Sequence, residues 1–281
     1  MSIHLHENNY GKQRVRLLRL AKGVHQHDIQ ELTLGIRLQG DFQAAHAVGD
    51  NRKILPTDTM KNTVYALARQ HPIDPPETFC LHLLNHFLTR NPQVSAADIE
   101  AVETLWSRLP VAGKLHRHTF TRSSEETRTA SVSGTREAHT VTAGLQGLIV
   151  LKTTQSAFDG FLRDEFTTLK ETTDRILSTV IQANWLYGEA PSDFDATWQD
   201  VRQLMLETFA DHDSLSVQQT LYAMGEAVLN KFAAIRQIHL SLPNKHYLPV
   251  DLSPFHLDNP GQIFLPTDEP HGLIEATLQR D

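Results

Sequence analysis

The sequence predicts an α+β protein of two halves with a similar layout, each an antiparallel sheet covered on one face by a pair of helices. Its 281 residues are too many for one typical core and suit two domains. Each half can be divided into a hairpin, two helices and a second hairpin, without a residue-by-residue repeat. We therefore expect a first domain at residues 1–136 and a second at 137–281.

The first half opens on a pattern typical of a β-hairpin. Residues 15–20 are mostly apolar, and residues 32–38 alternate between apolar and polar, which indicates a half-buried strand. Lys22-Gly23 supplies a turn between them. Residues 42–52 lack a clear period and are expected to be extended or loop.

Two helices follow in the first half. Thr57 or Asp58 is the expected N-cap of the first, and a helix start of this kind serves either as a cap alone or as an anion site. Its apolar stripe is Met60, Val64, Leu67 and Ala68. Asp74-Pro75-Pro76-Glu77 is the capping sequence of the second. The second stripe is Phe79, Leu83, Phe87 and Leu88, before Asn91-Pro92.

The remaining elements are expected from shorter signals. Residues 94–132 suggest two strands, and the Ser/Thr/Glu-rich residues 123–137 suggest a connection between the halves. In the second half, helices are expected from about Ser192, with Trp198, Val201 and Met205 buried, and from Ser214 or Ser216, with Val217, Leu221, Met224 and Val228 on one face. The expected strands are 145–151, 175–181, 238–242 and two closing strands near 263–264 and 273–274.

Composition narrows the class of function. The net charge of −7 argues against nucleic acid as the main partner. A single cysteine, Cys80, rules out an internal disulfide. No segment has the length and apolarity of a membrane span, and neither terminus matches a secretory or a peroxisomal signal. We therefore expect a cytoplasmic protein without a membrane partner.

Histidine is abundant, with 16 residues, and raises the question of a metal site. His4/His6, His25/His27 and His116/His118 are spaced to share a face of a strand. No sequence cluster adds a third ligand at helical spacing. We expect solvated or hydrogen-bonded histidines, with no metal, and keep a metal-dependent hydrolase as the alternative.

Residues 150–176 contain the clearest hint of a ligand site. Phe158 and Phe161 stand among polar residues after an apolar strand, and Arg175 precedes the next apolar run. An aromatic face and a two-pronged guanidinium suit a flat, anionic, hydrogen-bonding ligand. On their own, such residues are more often core or solvated.

Several segments resemble the urate oxidase (uricase) family in order and spacing. They are Tyr10-Gly11-Lys12, residues 55–63 (LPTDTMKNT), residues 150–176, Ser216-Val217-Gln218, residues 241–247 (SLPNKHY) and the tail at 264–274. The resemblance covers essentially the whole chain. It implies a tandem T-fold, a homotetramer with active sites between subunits, and oxidation of urate by O2 and water to 5-hydroxyisourate and H2O2 without a metal or organic cofactor.

The resemblance also assigns roles to individual residues. It implies that Arg175 and Gln218 clamp the purine edge, that Phe158 stacks on the ring beside Leu169, that Val217 offers a backbone contact and that Asn244 lies above the ring where O2 and water react. Thr57 and Asp58 are expected from a neighbouring subunit, with Lys12, Thr57 and His246 as the proton relay. A T-fold protein that only binds a purine or pterin is the second alternative; it would need the clamp but not the relay.

Overall fold

The computed structural model describes residues 3–122 and 124–281 and is an α+β structure dominated by antiparallel strands, as the sequence predicts. The chain forms two compact units. One extends to Gly144 and includes Leu186–Asp195, and the other comprises Leu145–Trp185 and Ala196–Asp281. The domain division at residues 136 and 137 stays a prediction. Among the described residues, no helix is both long and apolar enough to cross a membrane.

The first part of the chain contains four neighbouring sheet strands with helices packed on them. The elements are β1 (Tyr10–Lys22), β2 (His27–Gly40), α1 (Gln43–Val48), α2 (Thr57–Gln70), α3 (Pro76–Arg90), β3 (Val94–Thr104), β4 (Ser107–Val111), β5 (Lys114–Thr121) and β6 (Thr127–Gly134). The sheet order is β1-β2-β3-β6, with antiparallel pairing throughout, and β4 and β5 form a separate hairpin. Helix α2 contacts β1, whereas α3 contacts β3 and β6.

Apolar periodicity places the core of this unit correctly. The predicted stripe of α2 is buried, as is that of α3. On β2 the alternation between apolar and polar residues carries the buried set Leu32, Leu34, Ile36 and Leu38. These patterns succeed because burying an apolar face requires a period of 3.6 residues in a helix and 2 in a strand.

Helix starts in this unit differ from the prediction. Helix α2 begins at Thr57 with Pro56 at the cap position and no side-chain cap, so neither Thr57 nor Asp58 is the N-cap. Pro75 takes the cap position of α3, so Asp74 does not cap it. Glu77 turns inward instead and accepts a hydrogen bond from Arg128 at 2.7 Å. In both α2 and α3 the N-cap residue is a proline and not the polar residue that the sequence predicted.

Three other predictions for the first half were wrong. Residues 42–52 contain the short helix α1, which is followed by Gly49 with a φ of 71°. Residues 94–132 include four strands rather than two. The stretch at 123–137 contains β6, in which Arg128, Ala130 and Val132 alternate as buried residues; Ser123 itself lies outside the described residues. Most residues of β6 are small or charged, so the alternation between buried and less buried positions is hard to recognise in the sequence.

The second part of the chain continues with β7 (His139–Lys152), β8 (Leu177–Tyr187), α4 (Phe194–Asp211), α5 (Val217–Lys231), β9 (Ile235–Pro249) and β10 (Phe264–Gln279). The strands neighbour one another in the order β7-β8-β9-β10, and α5 packs on β9 and β10. The apolar residues predicted for α4 and α5 are buried. The two closing strands are one strand, β10, because a register shift between Thr267 and Gly272 interrupts the pattern without ending the pairing with β9.

Candidate active site

A cavity of about 170 Å³ lies in the second unit and joins residues that are far apart in the sequence. Its lining comes from the segment between β7 and β8, the start of α5, and the β9–β10 pair. Most of the residues that the resemblance singled out meet here, although their roles in binding stay predictions. The lining residues are Phe158, Leu169, Arg175, Val217, Gln218, Asn244, His246 and Ile274.

Backbone hydrogen bonds hold the Phe158 segment against the segment before α5. The Ala157 N–H donates to the Ser214 carbonyl at 2.7 Å, and the Ser214 N–H donates to the Gln155 carbonyl at 3.0 Å. Phe158 also exchanges two backbone hydrogen bonds with Thr172, at 2.8 and 3.1 Å. These contacts explain why a long connection between two strands presents its aromatic ring at a fixed place.

Arg175 and Phe158 form the flat, cationic part of the cavity. The guanidinium carbon of Arg175 lies 5.4 Å from the centre of the Phe158 ring. Arg175 is half-buried, and burial lowers its pKa. Its Nε is buried and has no hydrogen-bond partner within residues 3–122 and 124–281. A desolvated cation with an unused donor is costly unless an anion meets it, so this side chain suits an anionic ligand.

The first turn of α5 adds further donors to the same cavity. Val217 is its first residue, and Ser216 caps the helix by accepting a hydrogen bond from the Gln219 N–H at 3.1 Å. The opening N–H groups of a helix have no intrahelical partner, and the helix dipole favours negative charge at this end. The Gln218 side chain, which both donates and accepts, lies beside them. The start of α5 is therefore built to meet an anion with a hydrogen-bonding edge.

The β9–β10 pair supplies a third wall. Asn244 and His246 stand two residues apart on β9 and so share a face of the strand. Asn244 lies opposite Gly272 on β10, next to the register shift, and Ile274 follows two residues later. Sequence reasoning named Ile274 as a strand residue and as the end of the family-like tail, but gave it no role in the site. Ile274 lies two residues after Gly272 and therefore on the same face as Asn244, so the pairing of β9 with β10 would have predicted its place in the cavity.

The first unit contains Lys12, Thr57 and Asp58, whereas the residues that line the cavity belong to the second unit. Lys12 is half-buried on β1, where the register with β2 shifts directly after it. Thr57 and Asp58 open α2, and Asp58 is paired with Lys61. Hydrogen bonding from Lys61 lowers the pKa of Asp58, with a smaller contribution from the charge of Lys12. The structure thus brings Lys12 close to the start of α2.

Three histidines from two of these pairs, His27, His116 and His118, lie near one another beside the β4–β5 hairpin. The rings of His116 and His118 lie 4.6 Å apart, and His27 lies 5.9 Å from His118. Among residues 3–122 and 124–281, no group of three His, Cys, Asp or Glu side chains is arranged to hold a metal ion. Cys80 is fully buried, and burial raises the pKa of its thiol.

The chain is similar to proteins of one known family. The sequence model of the family described as Uricase matches residues 8–133 and 141–275. The uricase of Arthrobacter globiformis is 46% identical over 279 residues, covering 99% of this chain and 90% of that protein. The uricase of Aspergillus flavus is 41% identical, covering 96% and 95% respectively.

Solved structures show the same fold. The crystal structure of uricase from Arthrobacter globiformis superposes with a TM-score of 0.95 at 45% identity, covering 100% of this chain and 96% of that one. A uricase structure from Bacillus fastidious gives a TM-score of 0.85 at 23% identity, which is a likeness of fold alone. The fold is the tandem T-fold, and its second half carries a cavity suited to a flat anion. The chain belongs to the uricase family.

Proposed function

We propose that this chain, an oxidoreductase of the uricase family, oxidises urate with O2 and water to 5-hydroxyisourate and H2O2, without a metal or organic cofactor. The observation that carries the proposal is the half-buried guanidinium of Arg175, with its unpartnered Nε, beside an aromatic ring and a helix start in one small cavity. Urate is a flat anion at neutral pH, and its edge offers both donors and acceptors.

Substrate binding follows from the chemistry of the cavity. Arg175 and the Gln218 amide hold the purine edge, Phe158 stacks on the ring, and the Val217 backbone donates to the anion. Leu169 closes the apolar side of the cavity. Such a site rejects analogues that lack the edge groups, because its own buried polar atoms are then left unpaired.

The reaction requires a second proton to leave urate, giving an electron-rich dianion that reduces O2. A hydroxyl alone is too weak a base, so Lys12 and His246 move the proton through Thr57. Asn244 lies beside His246 on the same strand face and positions O2 and then water above the ring. The substrate supplies both electrons, which accounts for redox chemistry without a bound redox group.

The relay draws on both units of the chain: His246 lines the cavity, whereas Lys12, Thr57 and Asp58 lie in the first unit. We propose that a neighbouring subunit of a homotetramer supplies Lys12, Thr57 and Asp58 to each cavity. The grouping of Lys12 with the start of α2 supports this, because one surface then delivers all three together.

An oxygen electrode tests the activity. Chelator-treated protein mixed with urate should consume O2, release peroxide and bleach the ultraviolet band of urate. If excess chelator abolished turnover, the cofactor-free mechanism would be wrong. Binding of urate without O2 uptake would instead indicate a purine-binding protein.

A further inference from the structure

We propose that Phe161 is a positioning residue that holds the Phe158 ring in place for stacking on the substrate. The inference rests on the proposed function, and it concerns a side chain that does not itself line the cavity. The two rings lie nearly parallel, with centroids 5.0 Å apart and an angle of 14° between their planes. Since Phe158 lines the cavity and Phe161 does not, Phe161 backs the Phe158 ring from outside.

The local backbone explains how rings three residues apart in sequence come to stack. Gly160 lies between them with a φ of 63°, in the left-handed region that L side chains rarely adopt. A Cβ added at Gly160 would meet no atom within 4 Å, so backbone conformation and not crowding favours glycine there. The turn at Gly160 brings Phe161 back over Phe158.

A second contact holds the Phe161 ring. The guanidinium carbon of Arg163 lies 5.0 Å from the centre of the Phe161 ring, and Arg163 pairs with Glu171 at 3.4 Å. Thr172, the next residue after Glu171, exchanges the backbone hydrogen bonds with Phe158. Thr172 therefore anchors the backbone of Phe158, and Glu171 holds Arg163 beside the Phe161 ring.

This arrangement predicts an effect on binding and not on the chemical step. A half-buried phenyl ring without a neighbour on one face samples more orientations, and fixing it upon binding costs conformational entropy. Loss of a stacked aromatic pair corresponds to a weakening of about two- to tenfold. The proton relay and the O2 position are untouched, so turnover at saturating urate is maintained.

The test compares urate affinity in four variants of the full chain. Equilibrium binding of urate is measured without O2, and KM and kcat are measured with O2. Phe161→Ala removes the support, Phe161→Leu keeps apolar bulk without a ring, and Phe161→Tyr keeps the ring. Phe166→Ala is the matched control, because Phe166 lies in the same segment and is 81% exposed.

We expect Phe161→Ala and Phe161→Leu to raise Kd and KM about two- to tenfold with kcat nearly unchanged. Phe161→Tyr and Phe166→Ala should behave like the wild type. Full affinity in Phe161→Leu would overturn the proposal, as would a fall in kcat at unchanged KM. Because Phe161 is only partly buried and leucine keeps most of its apolar bulk, the leucine variant tests the proposal even if Phe161→Ala does not fold. Failure of the wild type to bind urate would overturn the proposed function as well, whereas failure confined to the variant comparison would overturn only the role of Phe161.

Discussion

At the scale of single residues, the partial burial of Arg175 makes its side chain suited to binding an anion. The guanidinium is half-buried over the Phe158 ring, and its Nε lacks a partner in the described part of the chain. Keeping such a group desolvated is unfavourable until an anion binds. Under the proposed function, this cost is offset when urate accepts charge-assisted hydrogen bonds from Arg175.

Replacing Arg175 should therefore weaken urate binding strongly. The loss of a charge-assisted hydrogen bond, about 1.5–3 kcal/mol, corresponds to a rise in KM of roughly 10- to 150-fold for Arg175→Ala. Arg163→Ala is the control, since Arg163 is an exposed arginine of the same segment that does not line the cavity; its effect through Phe161 should stay well below this. An unchanged KM in Arg175→Ala would remove Arg175 from the clamp.

Glu103 is a second residue whose surroundings decide its chemistry. It lies on β3 and accepts a hydrogen bond from Gln30 at 3.3 Å. Burial raises the pKa of Glu103 to about 7, against the attraction of Arg128. The negative charges of Asp74 and Asp195 add to the rise. The carboxyl thus titrates near neutral pH in the folded protein.

This shift predicts a specific pH dependence of stability. Because the folded-state pKa lies above the unfolded value of 4.5, the contribution of Glu103 is complete below about pH 4.5 and is lost as the pH rises through 7. Glu103→Gln should flatten this fall and raise the free energy of unfolding at pH 8 by about 1–3 kcal/mol. Urea unfolding at several pH values measures how the free energy of unfolding depends on pH. Glu100→Gln, at an exposed position of the same strand, is the control. An unaltered slope in Glu103→Gln would contradict the account.

At the scale of elements, the start of α5 links helix stability to binding. The Ser216 hydroxyl caps the helix whose first residues, Val217 and Gln218, face the cavity. Ser216→Ala should lower the free energy of unfolding by about 1 kcal/mol and raise the KM for urate, because the first turn frays. Ser216→Thr keeps the capping oxygen and should restore both. Thermal unfolding together with steady-state kinetics checks this, and an alanine variant with normal stability and KM would exclude the cap from the site.

Element boundaries show where sequence reasoning succeeds and where it stops. Stripes such as Met60, Val64 and Leu67 were predicted correctly, because an apolar face must repeat with the helix. Strand β6 was missed, because small and charged residues carry its buried face. The stack of Phe161 on Phe158 could not be predicted, since it depends on the left-handed turn at Gly160. Family motifs pointed to residues that lie together in the cavity, whereas Ile274 needed the strand register.

At the scale of the whole molecule, the proposed site needs more than one copy of the chain. The cavity contains the residues of the proposed clamp and His246, whereas Lys12 and Thr57 belong to the other unit. Symmetric homo-oligomers commonly share residues across a two-fold interface, so that each copy gives and receives the same set. Activity should then depend on assembly, and subunits with different defects should complement one another.

Mixing two variants with different defects tests this central claim most directly. Lys12→Met should lower kcat about 10²- to 10⁴-fold, because it removes a relay group, while Arg175→Ala loses the clamp. When the two are unfolded together and refolded at equal concentration, about one quarter of the sites should combine an intact Lys12 from one chain with an intact Arg175 from another. Oxygen uptake with subsaturating urate should then recover to about one quarter of the wild-type rate. No recovery, with mixed oligomers shown to form, would mean that each site takes both residues from one chain and would contradict the account.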